Sequence, residues 1–220
     1  MRSKQWAFAL FLIFAATLSA LRSGAEEVAP ATAPALRVFV VRHAQAWKNV
    51  PSLLRPKKMS PDELDALTPK GLARADAIGA ELRGRDVVAV YASPARRAQQ
   101  TAAAIAKTLG LAAPVVSESF RTLDAGSDPD ASSGTARMKN WKAKKDPRPA
   151  GGGESLADGN ARATAELAEL RKQYAGHAIV VVTHGEIASS LLTRGAGEDL
   201  LAGYFDHFPD EGSIHTLDIP

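Results

Sequence analysis

From Leu36 onward the chain alternates two patterns: short continuous apolar runs, and longer stretches where apolar residues recur every three or four positions. Residues 37–41 (RVFVV), 87–92 (VVAVYA) and 179–183 (IVVVT) are of the first kind, as expected of strands buried on both faces of a sheet. Residues 114–117 and 214–219 are shorter strand candidates. Behind Thr68-Pro69, the positions Leu72, Ala75, Ile78 and Leu82 keep helical spacing, and Ala98, Ala102, Ile105 and Leu109 do so behind Ser93-Pro94. Each of these starts sets a hydroxyl at the N-cap before a proline at the first helical position. Ser155 and Asp158 form a capping-box-like pair ahead of a third helix running to about Tyr174. The alternation predicts an α/β fold, a three-layer α/β/α sandwich with a mostly parallel central sheet. Residues 57–67 and 124–153 are less regular and are expected to be loops or insertions over one edge.

The amino terminus has a different pattern. Arg2 and Lys4 precede a nearly uninterrupted apolar run over residues 6–18, and small residues ending Ser23-Gly24-Ala25 precede Glu26-Glu27. A basic region, an apolar region and a small-residue site in that order read as a secretory signal over residues 1–25. The run is shorter than the roughly 18 residues expected of a membrane span, although an uncleaved anchor is the alternative. Residues 26–35, rich in Ala and Pro, read as a tether, leaving residues 36–220 as one catalytic domain. The mature chain is expected to be exported, periplasmic or secreted, with no stable membrane insertion. The chain has no cysteine, which excludes a lipid-modified cysteine anchor and neither favours nor opposes export.

Composition alters this picture little. With 45% hydrophobic and 23% charged residues the chain is ordinary for a domain with a real core. The formal charge of +3 arises in the leader: of 27 basic residues, Arg2, Lys4 and Arg22 fall there with no acid, leaving 24 against 24 acidic ones. Global charge therefore gives no case for a nucleic-acid partner. Lys139, Lys142, Lys144, Lys145 and Arg148 cluster locally and read first as a solvated face, second as an electropositive rim for phosphorylated substrates.

In a parallel sheet, ligands bind beyond the carboxyl ends of the strands. Here those ends deliver Arg42-His43, then residues 93–97 including Arg97, then His184-Gly185. Guanidinium forks match phosphate oxygens, and a neutral imidazole can attack phosphorus and hold the group covalently. Arg42, Arg97 and a protonated His184 would neutralise the charge on the transferring group, so no metal and no cofactor are required. A zinc site is the competing reading of the two histidines, but it needs three or four ligands, and Arg42 and Arg97 would repel the ion. Each histidine taken singly could merely pack at a strand end; the joint arrangement is what argues against that.

Arg42-His43-Ala44-Gln45 directly after a strand resembles the Arg-His-Gly signature of the histidine phosphatase superfamily, the phosphoglycerate-mutase-like enzymes. Leu67-Thr68-Pro69-Lys70-Gly71 is similar to its Leu-Thr-x-x-Gly helix start, and residues 93–102 (SPARRAQQTA) to its Ser-x-x-x-Arg-Ala-x-Gln-Thr-Ala block. Gly153-Glu154-Ser155 and Val182-Thr183-His184-Gly185 match further segments in order, so the resemblance covers residues 37–219. It implies a phosphoglycerate-mutase-like fold and a phosphohistidine on His43. Arg42, Arg97 (not Arg96) and His184 would hold the phosphoryl oxygens, and Asn49 would assist. Water would then release phosphate from a small phosphorylated substrate.

Two positions depart from the family pattern. Ala44 replaces a glycine. Thr122 aligns where many relatives place the glutamate that protonates the leaving oxygen; Asp124, two residues on, is the expected substitute, with Glu154 and Glu186 as other candidates. Glu154 could equally serve as a substrate-side group bonding amides or an arginine. The expectation is an exported phosphatase acting on a phosphomonoester, phosphoanhydride or phosphohistidine. A phosphate-binding module lacking the acid, or a phosphomutase, are the alternatives. Substrate identity and oligomeric state are not legible in the chain.

Overall fold

The computed structural model describes residues 34–127, 134–149 and 151–220; the expected signal and residues 26–33 of the tether lie outside them. The apolar runs become β1 (Leu36–Arg42), β2 (Val87–Ala92) and β4 (Ala178–Thr183), and the shorter candidates become β3 (Val115–Val116) and β5 (Ile214–Ile219). They form one sheet in the order β3-β2-β4-β1-β5. All pairs are parallel except β1 with β5. The fold is thus mixed α/β with a mostly parallel sheet.

Position in the sheet explains the patterns. β4 lies centrally and all six of its residues are buried. Each such Val or Ile contributes about 1.5–3 kcal/mol relative to exposure. On one face, Val38, Val40, Ile179 and Val181 pack with Leu156, Leu167 and Leu170 of α5 (Leu156–Tyr174) and Ile187 and Leu191 of α6 (Gly185–Gly195). On the other, Phe39, Val41, Val180 and Val182 pack with Ile78 of α2 (Pro69–Glu81) and Ala98, Ala102 and Ile105 of α3 (Arg96–Leu109). Helices therefore cover both faces. β3 is a short edge strand with Val115 half exposed.

The two irregular segments contain short helices, α1 (Pro61–Leu64) and α4 (Gly134–Lys142), and α7 (Leu200–Gly203) follows α6. The predicted starts of α2 and α5 hold: the Thr68 hydroxyl accepts from Gly71 N–H, and Ser155 and Asp158 close a full capping box. The third needs correction. Ser93 is not an N-cap; α3 begins at Arg96 after Ala95, which offers no side-chain cap. Asp65 supplies one instead, accepting from Arg96 N–H at 2.8 Å. Leu72 also departs from expectation, being 47% exposed, because it stands at the margin of the buried arc formed by Gly71, Ala75, Ile78, Gly79 and Leu82. A Cβ on Gly79 would come within 2.6 Å of Thr108 of α3.

Parallel register levels the strand ends. Arg42 pairs with Thr183 and Ala92 with Val182, so the residues after β1, β2 and β4 emerge side by side. His43 N–H donates to Thr183 O and Ser93 N–H to Val182 O, both at 2.9 Å. The chain after β1 is fixed against α2: Thr68 N–H donates to Gln45 O at 2.9 Å, and a Cβ on Gly71 would stand 2.1 Å from that same oxygen.

Gly71→Ala must therefore displace main chain rather than a flexible side chain. The expected cost is about 1–3 kcal/mol, read as a Tm lower by roughly 2–4 °C per kcal/mol, with exposed Lys70→Ala unchanged as the control. An unaltered Tm in Gly71→Ala would show that the loop after β1 yields freely.

Candidate active site

One guanidinium organises the strand ends. Arg97, in the first turn of α3 and buried, donates through Nε to His43 Nε2 at 2.9 Å and through Nη2 to His184 Nδ1 at 2.7 Å. Its Nη1 meets the Asp65 carboxylate, which also accepts from Lys48 Nζ at 3.3 Å. The two imidazoles stand edge to face with centroids 5.2 Å apart. Thr101, one turn along α3, donates to Arg97 O at 2.8 Å and accepts from Ala44 N–H at 3.1 Å, linking the arginine's helix to the histidine's loop.

These bonds set the tautomers. His43 Nδ1 lies 2.9 Å from Ala44 O, a carbonyl that only accepts, so Nδ1 carries the proton and Nε2 presents a lone pair. His184 Nδ1 faces a guanidinium that only donates, so its proton sits on Nε2, 2.7 Å from Ser93 Oγ. Burial first, then the positive charge of Arg97, pushes both imidazoles well below their ordinary pKa. Neutral His43 suits a nucleophile. A protonated His184, as expected from the sequence, is not what this arrangement holds: desolvation and Arg97 keep it neutral until negative charge arrives beside it. At Asp65 burial opposes ionisation, but Arg97 and Lys48 outweigh it and hold the carboxylate below its usual range.

Arg42 completes the cluster. It donates to Pro209 O at 2.9 Å, lies 3.5 Å from Glu211 and rests over the Phe208 ring, 5.2 Å from its centroid. Its Nε is buried with no acceptor among the described residues, an unpaired donor of the kind an anionic ligand satisfies. Ala44, in place of glycine, is fully buried against Leu67 and Ala75, so its methyl is accommodated.

The structure brings Arg42, His43, Arg97 and His184 together, while Arg96 turns away to Asp62. Asn49 stands in an exposed 3-10 turn, unlike the buried cluster. Glu154 is clamped by Arg121, Arg162 and the Asp124 N–H. Burial opposes its ionisation, but the Arg162 hydrogen bond and its other donors prevail and hold it at about 2. Its role here is to fix the loop over residues 119–124, whose carbonyls Arg162 also gathers. The Asp124 carboxylate accepts from Gly126 N–H within its own turn at 2.9 Å. Glu186, in the first turn of α6, meets the Thr122 hydroxyl. Sequence reasoning missed Asp65, Lys48 and the site-facing role of Ser93. Thr101 carried a usable signal, its four-residue spacing from Arg97 on one helix face. No group of three or more His, Asp or Glu side chains among the described residues is placed to hold a metal ion.

The model of the histidine phosphatase superfamily (branch 1) matches residues 38–219. An uncharacterized protein of Mycobacterium tuberculosis, Rv0525, is 35% identical over 151 residues, 67% of this chain and 72% of that one. The mycobacterial glucosyl-3-phosphoglycerate phosphatase superposes with a TM-score of 0.64 at 24% identity, covering 84% of this chain and 90% of its own. Alpha-ribazole phosphatase from Shigella flexneri gives 0.63 at 22% identity, with coverage of 84% and 91%. At these identities the likeness to solved structures carries the fold alone.

Two neutral buried histidines give stability a sign with pH. Their folded pKa values lie below the ordinary 6.5, so as pH falls through 6.5 the unfolded chain gains protons the folded chain refuses. Stability then falls by up to about 1.4 kcal/mol per pH unit for each histidine. Urea midpoints between pH 7.5 and 5.5 are expected to drop less steeply in His43→Ala than in the parent; equal slopes would show that folding leaves the His43 pKa where the unfolded chain has it.

Proposed function

The chain belongs to the histidine phosphatase superfamily (branch 1), and from that premise we propose that it is a metal-independent, exported phosphatase working through a phosphohistidine on His43. The observation that carries this reading is the His43 tautomer: Nδ1 is committed to Ala44 O, and the Nε2 lone pair is held only by an Arg97 N–H. An arriving phosphoryl oxygen can take that N–H, freeing Nε2 for phosphorus. Nε2 attacks, the P–O bond to the leaving group breaks, and the group is held covalently. Arg42 and Arg97 offer charge-assisted bonds to the equatorial oxygens. His184 gains a proton donor's role as the anion's charge offsets that of Arg97. Water then attacks the phosphohistidine and releases inorganic phosphate. Substrates are small phosphomonoesters, phosphoanhydrides or phosphohistidine.

A phosphate-binding module without turnover is favoured by one feature, the threonine at position 122, where the family resemblance leads one to expect the acid. Retention of a nucleophile in the reactive tautomer weighs for catalysis. Export is supported by the basic, apolar and small-residue order of residues 1–25.

Phosphate release from a panel of monoesters and anhydrides in EDTA is expected to persist in the parent and to fall by at least about 10³-fold in His43→Ala, as for loss of a nucleophile. No turnover of any substrate, with vanadate still bound, would shift the reading to the binding module. Mass spectrometry of the protein from its native host should find an amino terminus near Glu26; a chain starting at Met1 and held on membranes would identify an anchor.

A further inference from the structure

A phosphatase with a poor leaving group needs a carboxyl group able to carry a proton, and a carboxylate paired with a guanidinium is held ionised. That separates the acids around the site. Asp65 faces Arg97 and Lys48, Glu211 faces Arg42, and Glu154 faces Arg121 and Arg162. Asp124 spends its side chain on its own turn. Glu186 differs: it is half-buried, it meets the neutral hydroxyl of Thr122, and it lines a cavity of about 390 Å³. The volume falls within the range of small-molecule sites.

That cavity adjoins the phosphoryl cluster. Phe208 lines it and also underlies Arg42. A Cβ on Gly185, the residue between His184 and Glu186, would stand 2.4 Å from the Phe208 ring, so only glycine lets the ring lie this close to the start of α6. The other walls are mainly apolar: Met138 and Trp141 of α4 and Tyr204, with Trp141 and Tyr204 centroids 4.8 Å apart and Tyr204 and Phe208 5.5 Å apart; the one guanidinium among them, Arg137, donates to the backbone carbonyls of Asp124 and Glu154. A polyhydroxylated leaving group would leave its hydroxyls short of partners against such walls, whereas an apolar one loses nothing.

We propose that Glu186 protonates the leaving oxygen and that this cavity receives the leaving group, making the preferred substrates phosphomonoesters of apolar, aryl-sized alcohols. The proposal rests on the phosphohistidine reading above. In the first step Nε2 of His43 bonds to phosphorus, the P–O bond breaks, and the leaving oxygen takes the Glu186 proton and departs as the alcohol. The resulting carboxylate is stabilised by the Thr122 hydroxyl and by the amino-terminal end of α6. In the second step it takes a proton from the water that attacks the phosphohistidine, which restores both groups. The glutamate that the family resemblance places at position 122 would thus be replaced from across the cavity, with Thr122 as its positioning residue.

The test compares 1-naphthyl phosphate, p-nitrophenyl phosphate and glycerol phosphate across variants of the full chain, with His43→Ala as the control for the underlying reading. Nitrophenolate needs little protonation to leave, and naphthol needs more. Glu186→Gln is expected to lower kcat/KM for 1-naphthyl phosphate by about 10²–10⁴-fold and for p-nitrophenyl phosphate by under about tenfold. The parent should favour 1-naphthyl over glycerol phosphate, and Met138→Glu should reverse that order. Turnover that depends on His43, with Glu186→Gln slowing both aryl esters equally, overturns the acid and leaves the phosphatase standing. A leaving-group dependence that follows Asp124→Asn also overturns it. Equal rates on glycerol and naphthyl phosphates overturn the cavity assignment, and no turnover of any ester overturns the phosphatase and this proposal together. If Glu186→Gln does not fold, Glu186→Asp provides the reading: a loss confined to the poorer leaving group supports the role, and a uniform loss refutes it.

Discussion

The contact of Arg97 with two imidazoles and a carboxylate constrains everything around it. A guanidinium has a fixed planar fork, so its three bonded edges dictate where His43, His184 and Asp65 stand relative to one another. The partners come from β1, β4, α3 and the segment ahead of α2, and the bonds close only if the strand ends are level and α2 and α3 lie at the right depth. The parallel register supplies the first condition and small-residue contacts the second. Asp65 is what makes the arrangement tolerable. A buried arginine facing two neutral bases would otherwise lack a counter-charge, and burying an unpaired charge is far costlier than burying a paired one.

The same charge sets the chemistry. Arg97 pushes both histidines toward their neutral forms, and bonds to carbonyl and guanidinium then choose which nitrogen of each keeps its proton. The free lone pair at His43 Nε2 therefore follows from packing rather than from a dedicated base, since Ala44 O, a backbone atom fixed by Thr101 and the α2 terminus, holds the ring. On the proposed function, a dianionic phosphoryl group would bring the charge that lets His184 become a cation, so the electrostatic state of the site would be matched to its ligand rather than fixed beforehand.

Much of this was legible in the sequence. Central strands bury both faces and read as unbroken apolar runs, the helix starts of α2 and α5 carry side chains that cap themselves, and the residues after three strand ends share one chemistry. What escaped was written by tertiary contact. Ser93-Pro94 looks like a helix start, yet the hydroxyl is drawn to His184, and Asp65 caps α3 from thirty-one positions upstream. No local pattern encodes that exchange. Leu72 keeps helical spacing and is still half exposed, because it stands at the margin of the buried arc that Gly71, Ala75, Ile78, Gly79 and Leu82 form along α2. Periodicity reports which residues are apolar, and close approach decides which of them are covered.

The carboxylates show why residue type alone could not assign the acid. Five of them surround the cluster, chemically alike in sequence, and their partners divide the work. Glu154 gathers two guanidiniums and an amide, so its proton affinity collapses and it becomes a clamp that shapes the loop over residues 119–124. Asp65 and Glu211 stand as counter-charges to Arg97 and Arg42. Each of these carboxylates is engaged by a guanidinium. Glu186 instead meets the Thr122 hydroxyl, which orients a carboxyl group without adding a positive charge. If Glu186 is the acid, as proposed, Thr122 stands across the cavity as its support rather than as the source of the proton.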